Sequence, residues 1–302
     1  MKPDVAVVIG NYQGARLLPD CLESVRTQTL PPSAVVVVDG GSTDDGARVA
    51  EQLGAEVLRT ENRGLGHLYN RGAEAATAPL VLLANNDVAL DVRCLELLTD
   101  ALLCDESRFA ADPRQMDWAG TTLVHGRSAL QRGPLLRRPL PGFELRLTVP
   151  AKEIVPTLTA GGGAMLVRRG RLLELGGFDE TFFMDFEDLD LCWRAWLRGW
   201  PSVYVPDAWV RHRVGAVTTA DVLPRRLRSS HHNLLRFALK CFPPGAALRV
   251  VLGEVLRLPR HPALVGPALA QVLSETPEVL RLRREAQPRA EFFAWALDGM
   301  PA

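Results

Sequence analysis

Three runs of this chain are almost wholly apolar and too short to be helices: Val5-Ala6-Val7-Val8-Ile9, Val35-Val36-Val37-Val38 and Leu80-Val81-Leu82-Leu83-Ala84. Runs of this kind make strands buried on both faces, and Ala55–Leu58 reads as another strand between them. Segments with helical spacing alternate with the strands: Ala15–Gln28 with Leu17, Leu18, Leu22 and Val25 in register, a helix near Gly46–Leu53, and another over Gly64–Ala76. Doubly buried strands alternating with helices predict an α/β fold, a mainly parallel central sheet flanked by helices. Ligands of such sheets bind outside the carboxyl ends of the strands. At those ends stand Asn11-Tyr12, Asp39, Asn62-Arg63-Gly64 and Asp87, which together describe a nucleotide-sized pocket with an acidic member at its centre.

Gly40-Gly41-Ser42-Thr43-Asp44 reads equally as an ordinary strand-to-helix turn with a helix cap. No Gly-x-Gly-x-x-Gly follows the first strand, and there is no Gly-x-x-x-x-Gly-Lys-Ser/Thr phosphate loop.

Further on, residues 105–155 carry Pro113, Pro134, Pro139, Pro141 and Pro150, expected to break any long element, and a basic patch of Arg132, Arg137 and Arg138. The plainer expectation is a solvated surface excursion, with an acceptor-binding loop as the alternative. Gly161-Gly162-Gly163 allows close backbone approach before the strand-like Ala164-Met165-Leu166-Val167. A strand Ser202–Val205 is expected to end at Pro206, and His212 follows the short apolar run Trp209-Val210. Beyond Asp221 the pattern is helical: Arg225–Lys240, then Ala246–Leu258, with Leu248, Val251, Leu252 and Val255 on one face and Arg249 and Arg257 on another.

Between Gly176 and Arg194 the carboxylates Asp179, Glu180, Asp185, Glu187, Asp188 and Asp190 are set among Phe178, Phe182, Phe183 and Phe186. Charged groups in apolar surroundings are costly unless paired or used, so the stretch reads as a catalytic rim. Leu189, Trp193, Trp196 and Leu197 make a helical stripe from Phe186 onward, placing Glu187, Asp188 and Asp190 in the first turn. One acidic residue there would be a cap; this many after a Gly-Gly turn exceed what a cap needs.

The formal net charge is zero, with 35 basic and 35 acidic residues, but from residue 211 on basic residues outnumber acidic ones twofold. A basic amphipathic tail admits peripheral contact with an anionic membrane surface; packing onto its own domain is the plainer expectation. The five cysteines stand far apart without a Cys-x-x-Cys pair, so neither a disulfide framework nor a zinc site is suggested and a reducing cytoplasm fits best. The start shows no signal-peptide pattern, and every apolar stretch is interrupted before the ~18 residues a membrane span needs.

In order along residues 5–240, the motifs Val7-Val8-Ile9-Gly10-Asn11-Tyr12, Val37-Val38-Asp39-Gly40-Gly41-Ser42, Glu61-Asn62-Arg63-Gly64, Leu82-Leu83-Ala84-Asn85-Asn86-Asp87, Gly163-Ala164-Met165-Leu166, Gly176-Gly177-Phe178-Asp179, Glu187-Asp188-Leu189-Asp190 and Pro206–His212 form a series. That series resembles the inverting family-2 nucleotide-sugar glycosyltransferases of GT-A fold, most closely the rhamnosyltransferase-like branch. The resemblance implies Asn11, Tyr12, Asp39, Asn62, Arg63, Gly64 and Asn86 around the nucleotide, with Asp39 accepting from the base. It implies Asp87 and His212 as ligands of a divalent cation (Mg2+ or Mn2+), Asp188 as catalytic base, and Glu187, Gly163 and Phe183 toward the acceptor. Asn85 and Asn86 stand where the family's metal motif has its first carboxylate and its middle residue, leaving Asp87 as the only carboxylate, and Gly40 stands where Asn is common.

The expectation is thus a glycosyltransferase domain over 1–220, with a nucleotide-binding half (1–105) and an acceptor and catalytic half (106–220), followed by a helical C-terminal region over 221–302. It would move a sugar from an NDP-sugar such as dTDP-rhamnose to a hydroxyl of a cell-surface glycan or lipid-linked acceptor, as in cell-wall or polysaccharide biosynthesis, with no nucleic acid involved. It would work in the cytoplasm, with peripheral contact at the inner membrane face. A sugar-1-phosphate nucleotidyltransferase would want a Gly-rich basic loop that Asn11-Tyr12-Gln13-Gly14-Ala15 does not supply. A degenerate member kept as a nucleotide-binding scaffold is the non-enzyme alternative, motivated by Asn85-Asn86.

Overall fold

The computed structural model describes residues 4–136, 140–148, 153–161, 163–216 and 222–300. Arg137, Arg138, Pro139, Pro150, Gly162 and Asp221, singled out above, lie outside the described residues.

The first half alternates as its pattern dictates: β1 (Val5–Asn11), α1 (Leu18–Arg26), β2 (Ala34–Asp39), α2 (Gly46–Gln52), β3 (Glu56–Arg59), α3 (Leu65–Ala75) and β4 (Leu80–Asn85). β5 (Val88–Leu90) and α4 (Cys94–Leu103) follow. β3, β2, β1 and β4 lie side by side in parallel register. Side chains alternate across the sheet, so Val5, Val7 and Ile9 enter one core with α1 and α4 while Ala6 and Val8 enter another with α3. That double burial is why these strands are apolar throughout.

Residues 105–155 are not a surface excursion. They supply β6 (Ala110–Asp117), β7 (Leu123–His125), β8 (Arg127–Arg132) and β9 (Phe143–Thr148). β6 sits inside the main sheet, between β11 (Ala164–Arg168) and β12 (Ser202–His212), whose far side also carries β10 (Val155–Thr157). Two prolines obscured this. Pro113 lies within β6 and Pro206 within β12, which runs on as one strand to His212 instead of ending at Pro206. The β6–β12 register slips between Val205 and Trp209, with Pro113 opposite Val205. Both missing N–H groups therefore fall at a bulge, where the ladder is interrupted anyway.

α5 (Arg169–Glu174) and α6 (Glu187–Leu197) precede β12, and the chain closes with α7 (Val222–Cys241), α8 (Pro244–Arg257), α9 (Pro262–Ser274), α10 (Thr276–Ala286) and α11 (Ala290–Ala294). The helical region packs onto the sheet domain through an aromatic cluster in which Trp193 of α6 meets Phe237, Phe242, Phe292 and Phe293. One helix is turned around relative to its sequence pattern. α8 buries its small face, Ala247, Val250 and Gly253, with Glu254 and Arg257, and leaves Leu248, Leu252, Val255 and Leu256 exposed. Gly253 lies against Pro141 and the Leu135 carbonyl, too close for a leucine, and Arg257 is buried because it pairs with Glu254 and donates to the Leu136 carbonyl. No helix of the described residues is long and apolar enough to cross a membrane.

Candidate active site

The carboxyl ends of β1, β2 and β4 are tied together by amides. Asn11 Nδ2 donates to Asp39 Oδ1 (2.8 Å) and its Oδ1 accepts from Asn86 Nδ2 (2.7 Å). Asp39 is buried and also accepts from the Ser42 backbone N–H (3.0 Å) and hydroxyl (2.5 Å). Both of its oxygens are thus engaged, and it stands behind the cavity wall as the residue that orients Asn11 and the Gly40–Asp44 turn. Asn85 is likewise a structural residue here, accepting from Tyr69 Oη at 2.8 Å.

A cavity of about 210 Å³ opens over these ends, lined by Asn11, Tyr12, Asn62, Gly64, Asn86, Asp87, Phe183, Asp185, Glu187, His212 and Arg226. Arg63 points elsewhere, with its guanidinium 3.4 Å from Glu180. Gly64 is where the backbone most needs glycine: its φ is +112° and a Cβ would lie 2.3 Å from the Phe183 carbonyl oxygen. Gly64→Ala is expected to push apart the two walls of this cavity, lowering stability by about 1–3 kcal/mol and weakening nucleotide binding. Denaturant titration and nucleotide titration check this; wild-type values in both would show that the approach of Gly64 to Phe183 is not needed.

Asp87 is buried, and its Oδ1 accepts no hydrogen bond among the described residues. His212 Nε2 lies 3.3 Å away, at ion-pair distance but out of hydrogen-bond alignment. The other ring nitrogen, Nδ1, is 3.0 Å from Gln115 Oε1, an acceptor that fixes the ring with Nε2 toward Asp87. A buried carboxylate oxygen without a donor, facing an imidazole nitrogen whose ring is held by a second residue, is a donor set suited to a divalent cation. Among the described residues no group of three or more His, Cys, Asp and Glu forms a metal array, so this pair would need ligand oxygens from elsewhere. Gly163 belongs here and not to the acceptor side, since a Cβ on it would strike Gln115 Oε1 (2.3 Å) and His212 Nδ1 (2.8 Å).

A second cavity, about 470 Å³, is lined by His125, Leu140, Leu145, Leu147, Thr159, Asp185, Phe186, Glu187, Asp188, Arg226 and Ser230. Asp185, Glu187 and Arg226 border both cavities, whereas Asp188 faces only the second and Asp87 and His212 only the first. The wall is made by an unusual turn, with Asp185 (φ 71°) and Phe186 (φ 73°) both left-handed immediately before α6. Side-chain residues rarely adopt this backbone, and such strain is held by its surroundings. Asn233 of α7 donates to the carbonyls of Met184 (2.8 Å) and Asp185 (3.0 Å), and Arg226 grips the Asp185 carboxylate at 2.7 and 3.0 Å. The turn swings Glu187 and Asp188 into the cleft. Burial first, and the Asp188 charge second, push the Glu187 carboxyl up to about 8, so it is neutral at pH 7 beside an Asp188 that the cavity leaves partly exposed.

The other carboxylates of the expected rim are structural. Asp179 pairs with Arg236 and Lys240, Asp190 with Arg194 and Lys240, and Glu180 with His67. Their partners come from α3, α6 and α7. Conversely, sequence reading missed His125, Asp112, Gln115, Arg226 and Asn233. His125 lines the second cavity, and its Nε2 lies 3.1 Å from the buried Asp112. Burial opposes protonation of His125, but Asp112 and, behind it, Asp188 outweigh this and raise its pKa. No local spacing pointed to that pair.

Comparison with known proteins supplies a separate line. The sequence profile of the family described as "Glycosyltransferase like family 2" matches residues 3–231. Over 258 residues the chain is 30% identical to N-acetylglucosaminyl-diphospho-decaprenol L-rhamnosyltransferase of Mycobacterium tuberculosis, covering 77% of this chain and 82% of that one. It is 31% identical over 218 residues to the pre-mycofactocin glycosyltransferase of the same species, covering 69% of this chain and 42% of that one. Among solved structures, GalNAc-T7 with UDP, GalNAc and Mn2+ superposes with a TM-score of 0.70 at 16% identity, over 97% of this chain and 55% of that one. The mannosyltransferase PcManGT from Pyrobaculum calidifontis, in complex with GDP-Man and Mn2+, superposes with a TM-score of 0.56 at 17% identity, over 95% and 86%. At such identities the likeness to these structures concerns the fold.

Proposed function

The chain belongs to the family-2 glycosyltransferases and has their GT-A fold, and from that premise we propose that it moves a sugar from a nucleoside diphosphate sugar to a hydroxyl of a lipid-linked glycan, inverting the anomeric centre. The nucleotide occupies the cavity of Asn11, Tyr12, Asn62 and Gly64, and the acceptor enters the cavity of Asp188. The name of the rhamnosyltransferase relative suggests rhamnose as the sugar and a polyprenyl diphosphate sugar as acceptor; dTDP-rhamnose is the donor of this reading. In this reading residues 1–105 serve the nucleotide, 106–220 the acceptor and the chemistry, and 221–302 brace the site; the work is done in the cytoplasm.

The observation that carries the proposal is the division of labour across one wall. Asp188 lies on one side and Asp87 with His212 on the other, with Glu187 and Arg226 common to both. In-line displacement asks for that arrangement, because the base must reach the acceptor hydroxyl on the face opposite the leaving diphosphate. As the acceptor oxygen bonds to the anomeric carbon, its proton passes to Asp188 and the bond to the diphosphate breaks. Arg226, paired with Asp185, holds the shared wall in place. Asp87 and His212 would hold Mg2+ or Mn2+, which when bound neutralises diphosphate charge. Glu187, neutral at pH 7, can donate a hydrogen bond without adding a second negative charge beside Asp188.

Melting curves with dTDP, UDP, GDP and CDP, each with and without Mn2+, test the donor side. One diphosphate is expected to raise the melting temperature, more so with metal, since a ligand at a hundred times its Kd adds roughly 2.7 kcal/mol to the folded state. Asp87→Ala is expected to remove the metal-dependent part of that shift. No shift with any nucleotide would sink the transfer reading, and an unchanged metal dependence in the variant would remove Asp87 as a ligand.

A further inference from the structure

Isolated leucines on a protein surface need no explanation, but a continuous stripe does. On α8 the exposed residues Leu248, Leu252, Val255 and Leu256 recur at spacings of three and four, which puts them on one face of the helix; Leu248 is 67% exposed. Arg249 is exposed at the edge of that face, its side chain laid against Gly142, and Arg260 is exposed three residues beyond the end of the helix. From Pro244 to Ser274 the chain has one carboxylate, Glu254, and it is fully buried against His231 and Arg257. The outward surface of this stretch is therefore apolar and cationic, with no negative charge. Its inner side is seated on the turn before β9: Gly253 meets Pro141, and Arg257 donates to the Leu136 carbonyl. Leu140 of that turn and Leu147 at the end of β9 line the Asp188 cavity, with Leu147 itself exposed.

We propose that the outward face of α8 docks on an anionic phospholipid surface, seating the leucines among the acyl chains with Arg249 and Arg260 at the phosphate level, and that it thereby brings the Asp188 cavity to an acceptor carried by a membrane lipid. The last clause rests on the function proposed above; the docking does not. An amphipathic helix that lies in the interface needs an apolar face, basic flanks and no exposed carboxylate. The rim of this face carries only positive charge, Arg249 and Arg260, and a second copy would bring the same sign to it, which is why the bilayer is the favoured occupant.

Flotation of the full chain with phosphatidylcholine vesicles, with and without phosphatidylglycerol, is the test. The wild type is expected to float with the anionic vesicles and much less with the neutral ones. Leu252→Glu with Leu256→Glu is expected to lose binding by about tenfold or more, and Leu248→Ser with Leu252→Ser does the same without added charge. Arg249→Glu with Arg260→Glu should abolish the preference for anionic lipid. All substituted positions are exposed, so circular dichroism and melting should stay at wild-type values. A wild type that stays in solution, or leucine variants that float as well as it does, would overturn the proposal. A sedimentation experiment in which the wild type is a dimer and the Leu→Glu pair a monomer would assign the face to a second copy instead. Transfer to a water-soluble acceptor with a short alkyl tail separates the two readings. The leucine variants should match the wild type on it, and a wild type that floats but never turns it over would leave the docking surface standing while removing the transfer function.

Discussion

In Asp188→Asn, kcat for sugar transfer is expected to fall by about 10²–10⁴-fold, with the Kd for the nucleoside diphosphate and the melting temperature close to wild type. Asp188 faces only the second cavity, so removing its charge should leave the cavity of Asn11, Tyr12 and Asp87, proposed for the nucleotide, untouched. The substitution is nearly isosteric, and the short bond from the Leu189 N–H to Asp188 Oδ1 (2.7 Å) can be kept by an amide oxygen. The neighbouring Glu187→Gln is the control. Its carboxyl is already neutral at pH 7, pushed up to about 8 by burial and by Asp188, so an amide reproduces its charge state and should cost far less activity. If the two variants exchanged behaviours, with Glu187→Gln inactive and Asp188→Asn nearly normal, the base would be misassigned. Single-turnover rates separate the chemical step from product release in either case.

The first half of the sheet was legible because its signals are local. Short, doubly apolar strands can only be buried in a parallel sheet, and their polar ends mark the cavity, so Asn11, Tyr12, Asn62, Gly64 and Asp87 follow from the pattern of β1 to β4. Asp39 was found, but its bonds to Asn11 and Ser42 were not, since no spacing reveals them. The second half resisted for two physical reasons. Pro113 and Pro206 read as strand breakers, yet they sit together at one bulge in β6 and β12, and a bulge is a property of a pair of strands. The acidic stretch from Asp179 to Asp190 looked like a rim because its counter-charges lie elsewhere in the chain. Of its carboxylates only Asp185, Glu187 and Asp188 line the two cavities, and Arg226, Arg236, Asn233 and Lys240 of α7 explain why. α8 misled in the opposite sense, since its leucine stripe looked like the buried face and Gly253, pressed on Pro141, decided otherwise.

Lys240→Met is expected to destabilise the protein by about 3–5 kcal/mol, a large part of the about 5–15 kcal/mol that holds a domain folded. The Lys240 ammonium is 2.6 Å from Asp179 Oδ2 and 2.7 Å from Asp190 Oδ1, and both it and Asp190 are almost wholly buried. Methionine matches its apolar stem, so the substitution keeps the stem's packing and removes the ammonium together with its contact over the Phe182 ring (5.0 Å). Asp179 keeps Arg236 and Asp190 keeps Arg194, but each loses a cation in a site where water cannot replace it. Urea titration reads the loss. The pH dependence gives a second reading. Burial alone would push the Asp179 carboxyl up, yet Lys240 and Arg236 overcome it and hold it well below the usual carboxylate range. A carboxyl depressed in the folded state contributes stability that is present above its unfolded pKa, about 3.9, and is lost as pH falls from there toward the folded value. The wild type should therefore weaken steeply below about pH 4, and Lys240→Met less steeply, because part of that stability is already gone. A loss under about 1 kcal/mol, in the range of an exposed pair, with an unchanged acid limb would mean that Arg236 alone carries Asp179. Activity should fall along with stability in this variant, since the same network joins α7 to the chain just before the left-handed turn at Asp185 and Phe186. Whatever loosens α7 also loosens the grip of Asn233 and Arg226 on the residues that aim Asp188 into its cavity.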